Sequence, residues 1–208
     1  MRYNSICIFD IETIADEKKK EYIPEPTAPA NYKDIVKIEE YKKTAKETII
    51  NEMALDYDYS KICALGYSTA FNDPEHTIHL CPDATSEIKA IEDFWEVARY
   101  STLIGFNILA FDLPIILRRS WALKIPPTVH YKKYDDRIID LMLLLYPNSK
   151  QKYKSLKNIC KIYGIENSCP GIDGSMVKEL SQPLLKQYLA SDITLTQSLA
   201  NKMKGYYF

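Results

Sequence analysis

Ile6-Cys7-Ile8-Phe9-Asp10-Ile11-Glu12-Thr13 is an apolar run that ends on two carboxylates. Side chains alternate across a β-strand, so Ile6, Ile8, Asp10 and Glu12 share one face while Cys7, Phe9 and Ile11 share the other. Both faces are apolar, which predicts a central strand. Two anions two residues apart on one face of such a strand cost several kcal/mol unless something neutralises them. A divalent metal ion is the economical neutraliser.

The surrounding chain has 208 residues, 46% of them hydrophobic, with a formal net charge of -1. That composition predicts one globular domain, residues 1–208, with enough length for a core. It excludes a globally basic nucleic-acid binder, so any such contact must come from a local patch. One candidate patch runs from Arg118 to Lys161, where basic residues outnumber acidic ones eleven to three. Cys7, Cys63, Cys81, Cys160 and Cys169 are scattered and form no Cys-x-x-Cys pair. They read as reduced core thiols rather than a disulfide scaffold or a zinc site. No apolar stretch is of membrane-spanning length, and residues 1–5 leave no room for a signal peptide ahead of the first strand. The expectation is a soluble, intracellular, cytoplasmic protein with no membrane partner.

Residues 15–32 are charged and then proline-rich, as in an extended loop, and 33–54 form a lysine- and glutamate-rich helix with few apolar positions. Residues 15–59 are therefore expected as a surface insertion, with a substrate-contacting arm as the other reading. Residues 61–71 and 76–81 read as two strands joined by Asn72-Asp73-Pro74-Glu75, so the sheet opens as a three-strand meander. Helical spacing follows over 86–100, a short strand over 102–106, then helices over 112–123, 138–146, 155–163, 175–181 and 183–204. These elements predict an α/β fold, a mixed central sheet with flanking helices.

The closing helix carries Leu185, Leu189, Thr196, Leu199 and Met203 on one stripe. Asp192 falls on it. Mid-helix and facing the core, it has no capping role, which implies a metal ion or a cationic partner such as an arginine. Tyr188 lies one turn earlier on the same face. Asp112 stands in Gly105-Phe106-Asn107-Ile108-Leu109-Ala110-Phe111-Asp112-Leu113-Pro114, where an N-cap ahead of the proline competes with a role at the site. Asp140, opening Leu141-Met142-Leu143-Leu144-Leu145, reads as a cap or at most as support for the site. His76, His79 and His130 form no recognisable site, and no phosphate loop or Gly-x-Ser-x-Gly elbow is present.

If Asp10, Glu12, Asp112 and Asp192 converge, they would hold two divalent ions, with Asp10 bridging. Two ions about 3.5–4 Å apart support in-line displacement at phosphorus by activating water and stabilising the leaving oxygen. All-oxygen ligands favour Mg²⁺ or Mn²⁺. Tyr188 is placed to orient the attacking water.

Asp10-Ile11-Glu12-Thr13, the Gly105-to-Pro114 segment and Tyr188-Leu189-Ala190-Ser191-Asp192 resemble the three motifs of the DEDD 3′-5′ exonucleases. The closest likeness is to stand-alone exonucleases related to the proofreading domain of family B DNA polymerases. It spans nearly the whole chain and implies an RNase H-like fold. Tyr at 188, with Gln at 187, matches the tyrosine branch (DEDDy). Carried over, Asp10, Glu12 and Asp192 hold the first ion, Asp10 also touches the second, and Asp112 serves the second through water. Thr13, Asn107 and Phe111 stand at substrate-binding positions. The segment from Ala15 to Tyr59 is long for a proofreading domain, and no polymerase module is attached.

The implied substrate is a single-stranded nucleic acid with a free 3′ end, DNA by resemblance. Phe106, Phe111, Tyr153, Tyr163, Tyr206 and Tyr207 offer faces on which bases could stack, although core packing is the competing role for most of them. The alternatives are a 3′-5′ exoribonuclease and a catalytically silent nucleic-acid-binding accessory of a polymerase.

Overall fold

The computed structural model describes residues 5–129, 136–147 and 151–208. Its strands are β1 (Ser5–Ala15), β2 (Ser60–Ser68), β3 (Thr77–Leu80), β4 (Ser101–Gly105) and β5 (Ile138–Asp140). Its helices are α1 (Ile35–Glu52), α2 (Ala84–Ala98), α3 (Asp112–Leu123), α4 (Leu141–Leu145), α5 (Leu156–Ile162) and α6 (Gln182–Met203). The strands form one sheet in the order β3-β2-β1-β4-β5. β2 and β3 pair antiparallel, whereas β1 with β4 and β4 with β5 pair parallel. The fold is thus a mixed α/β sheet flanked by helices, opening in the expected meander, with β1 at its centre.

The chain divides into two compact units, residues 1–12 with 62–208 and residues 13–61. In the smaller unit, Asp16 caps a 3₁₀ turn at Glu17–Tyr22, within what reads from sequence as extended loop. Asp34 caps α1, accepting from the Val36 N–H at 2.9 Å. None of the α1 residues is buried, as its sparse apolar positions dictate.

In the larger unit the two faces of β1 go to different helices. Phe9 packs on Phe94 of α2, ring centroids 4.9 Å apart. Ile8 on the other face joins Ile104, Leu141, Ile159, Cys160, Leu195 and Leu199 in a core built by α4, α5 and α6. Gly66 lets α6 lie close to β2, because a Cβ there would sit 2.6 Å from the Ile193 side chain. Glu87 and Arg119 form a buried fork, Nε to Oε1 at 2.7 Å and Nη2 to Oε2 at 2.8 Å, which ties α2 to α3.

Three expectations change. Residues 138–140 are strand β5, and only 141–145 are helical, because Ile138 and Ile139 complete a parallel ladder beside Leu103 and Ile104. Residues 174–179 form a 3₁₀ turn rather than an α-helix. The Arg118–Lys161 stretch is no single exposed basic patch, since Arg119 is buried on Glu87, while Lys132, Lys133, Lys150 and His130 lie outside the described residues.

Candidate active site

Asp10 and Glu12 project from the β1 face that looks onto α5 and α6, and Asp192 projects from the buried stripe of α6. One carboxylate oxygen from each lies within 4.8 Å of the others, close enough for a shared metal ion. Asp10 is half-buried and the other two are buried. Asp112, 2% exposed, is the first residue of α3 and does not cap it. The cap position is Phe111, which supplies no side-chain bond. The Asp112 carboxylate turns instead to β1, where Oδ1 accepts from the Ile11 N–H at 3.1 Å beside Asp10. The N-cap reading of Asp112 is therefore replaced by a cross-element contact. The structure brings three carboxylates into one metal-sized group, with the fourth against Asp10.

The electrostatic cost is visible in every one of them. Burial pushes Asp10 well above the usual aspartate range, and the charges of Asp112, Glu12 and Asp192 push it further. Burial does the same to Glu12, reinforced by Asp192 and Asp112. Asp112 is raised to about 7, burial outweighing its backbone hydrogen bonds. Asp192 is raised by burial, with Lys157 and Tyr188 opposing.

Lys157 of α5 is the opposing cation. Its Nζ donates to the Ile172 carbonyl at 2.7 Å and to the Tyr188 hydroxyl at 3.2 Å, and lies 4.2 Å from the centre of the Tyr188 ring. It is 3.7 Å from Asp192 Oδ1, an ion-pair distance too long for a hydrogen bond. Asp192 Oδ1 is thus buried without a hydrogen-bond partner. An orphaned anionic oxygen beside two further carboxylates fits a divalent cation by charge and by donor chemistry. The buried acidic cluster of Asp10, Glu12 and Asp192 could hold such an ion.

Tyr188, buried, shares the α6 face with Asp192 as expected, and burial followed by Glu12 and Asp192 pushes its phenol upward. Asn107 takes a left-handed φ of 66° in the loop after β4, and Phe111 directly precedes Asp112. Thr13 belongs to the smaller unit, where its hydroxyl donates to the Ala54 carbonyl at 2.6 Å. Of the aromatic residues read as stacking faces, Tyr153, Tyr163, Tyr206 and Tyr207 are exposed, whereas Phe106 packs partly buried on the core.

The role of Lys157 is not evident from the sequence, where arginines are the expected partners for Asp192 and this lysine belongs to a basic stretch. A signal was present: Lys157 stands three residues before buried Cys160 and so shares the inward face of α5. Asp140 does more than cap. It accepts from Met142 N–H of α4 and also from Asn107 and Leu109 of the loop leading to Asp112.

A sequence model described as the RNase_H superfamily matches residues 51–199, a span that holds Asp112, Lys157, Tyr188 and Asp192. Among solved structures, the family B DNA polymerase from the hyperthermophilic archaeon Pyrobaculum calidifontis superposes with a TM-score of 0.61 at 18% sequence identity. The match covers 96% of this chain and 24% of the polymerase, so the chain spans about a quarter of that protein's length. At such identity the likeness is one of fold. A comparison with curated proteins finds no match. With well over half of its residues matched, and a mixed sheet that carries acidic residues on its central strand, the chain belongs to the RNase_H superfamily.

Proposed function

We propose that the chain is a metal-dependent 3′-5′ exonuclease of the tyrosine branch that hydrolyses phosphodiester bonds at the 3′ end of single-stranded DNA. The observation that carries this reading is the convergence of Asp10, Glu12 and Asp192 around an unpartnered buried oxygen in an RNase H-like fold. The polymerase neighbour favours a nucleic-acid substrate. Residues 1–208 are read as one nuclease domain with 15–59 as its insertion.

Asp10, Glu12 and Asp192 would hold one divalent ion, Mg²⁺ or Mn²⁺, and Asp10 with Asp112 a second. Bound there, the ions supply the positive charge that activates water and stabilises the leaving oxygen. The protein's part is orientation. The Tyr188 hydroxyl, which interacts with the Asp192 carboxylate, would hydrogen-bond a water at the scissile phosphate. Its phenol, pushed up by burial, stays protonated and so acts as a donor rather than a base. Lys157 holds Tyr188 in place through the bond at 3.2 Å. Asn107 and Phe111 add substrate contacts in this reading.

A time course on 3′- and 5′-labelled single-stranded DNA and RNA of one sequence, with and without chelator, tests activity, polarity, sugar choice and metal need together. Asp10→Ala and Asp192→Ala are expected to abolish release from the 3′ end while the protein stays folded. Cleavage that survives either substitution or the chelator would refute the reading. Binding of single strands without cleavage would point to the silent accessory, and preference for RNA to the exoribonuclease.

A further inference from the structure

We propose that Asp140 is a positioning residue that sets where Asp112 stands relative to β1, an inference that rests on the nuclease reading above. A helix N-cap needs only the N–H groups of its own first turn. Asp140, 4% exposed, exceeds that role. Its Oδ1 accepts from Met142 at 3.0 Å and Leu143 at 3.4 Å in α4, and also from Asn107 at 2.9 Å, while its Oδ2 accepts from Leu109 at 3.0 Å. Two of these four donors come from a loop more than thirty residues away in sequence.

That loop connects β4 to α3, and little within it explains its shape. Asn107 sits at a φ of 66°, a region that costs a side-chain-bearing residue energy unless the surroundings enforce it. Its carbonyl accepts from Ala110 at 3.2 Å and Phe111 at 3.1 Å, and the Ile108 carbonyl accepts from Leu113 at 3.0 Å. Each of these bonds closes a turn, and none ties the turn to the sheet. Asp140 supplies that tie from β5, paired directly beside Gly105 at the end of β4. Gly105 leaves the room for it, since a Cβ there would overlap the Ile108 side chain. The turn then delivers Asp112 to a place where its carboxylate meets the Ile11 N–H at 3.1 Å. An error of about 1 Å in such a group costs roughly a hundredfold in rate.

Asp140→Asn separates the two roles. With its amide oxygen at the Oδ1 position, the asparagine keeps the α4 cap and the Asn107 bond, while its NH₂ faces the Leu109 N–H, donor against donor. Wild type, Asp140→Asn, Asp112→Asn and the double variant would be compared by melting temperature, amide hydrogen exchange, Mn²⁺ binding and kcat on a 3′-labelled single strand. We expect Asp140→Asn to leave the α4 amides protected as in wild type and to lower the melting temperature by only a few degrees, the cost of one unsatisfied buried donor. Exchange at Leu109 should rise about tenfold, and kcat should fall roughly a hundredfold. The double variant should be no slower, and no weaker for Mn²⁺, than Asp112→Asn alone. Wild-type exchange at Leu109, wild-type kcat, or additive losses in the double variant would each overturn the proposal. A wild-type chain that cleaves nothing would refute the nuclease reading, and exchange together with Mn²⁺ binding would still decide whether Asp140 places Asp112.

Discussion

Asp112→Asn should make the metal-free protein more stable at neutral and alkaline pH. In the folded chain the Asp112 carboxyl titrates at about 7, against an ordinary value of 3.8. Below about pH 4 the group is protonated whether the chain is folded or not, and it contributes no pH dependence. Between those values the unfolded chain has released the proton while the folded chain retains it, so stability falls as pH rises, by ~1.4 kcal/mol per unit. Above pH 7 the penalty is fully present. The rise from 3.8 to about 7 corresponds to ~4 kcal/mol for a group this buried. Asparagine keeps an oxygen to accept from Ile11, does not titrate, and relieves Asp10 of its largest like-charge repulsion. Urea denaturation in chelator from pH 4 to 8 should therefore show a shallower decline for Asp112→Asn than for wild type. The two curves should meet at the acid end. Added Mg²⁺ should stabilise wild type far more at pH 8 than at pH 5, because the other carboxylates are raised as well. Parallel curves for the two proteins in chelator would refute the reasoning.

Lys157→Met removes the cation that opposes the carboxylates; Mn²⁺ binding measured by calorimetry should tighten several-fold while the metal-free protein melts at a lower temperature. Glu87→Gln removes one charge of the buried Glu87–Arg119 pair and should cost about 3–5 kcal/mol in urea denaturation. Gly66→Ala places a methyl group 2.5 Å from Ile78 and 2.6 Å from Ile193, an overpacking of about 1–3 kcal/mol read by the same assay. Tyr188→Phe keeps the ring and loses the hydroxyl; kcat should drop with little change in Mn²⁺ affinity, and an equal loss in both would place Tyr188 among the metal ligands.

Much of this protein follows from local patterns, because local patterns report burial. An apolar run on both faces made β1 central, and its two carboxylates were legible as an anomaly for the same reason. Asp192 was legible because helical periodicity places it among Leu185, Leu189 and Leu199, all buried. The short strand β5 was not legible as a strand. Three residues carry no period, and Ile138 and Ile139 are held extended by their neighbours in β4, a partner remote in sequence.

What the sequence by itself determined was which side chains are too costly to bury alone: Asp10, Glu12 and Asp192. What only the tertiary structure decided was who answers them. Lys157 reaches the cluster from a separate helix, the Asp112 carboxylate reaches across to the Ile11 N–H, and Asp140 gathers two N–H groups from a distant loop. Desolvation is a property of a residue and its local pattern. Compensation requires a partner within a few ångströms, and the folded chain alone sets that distance.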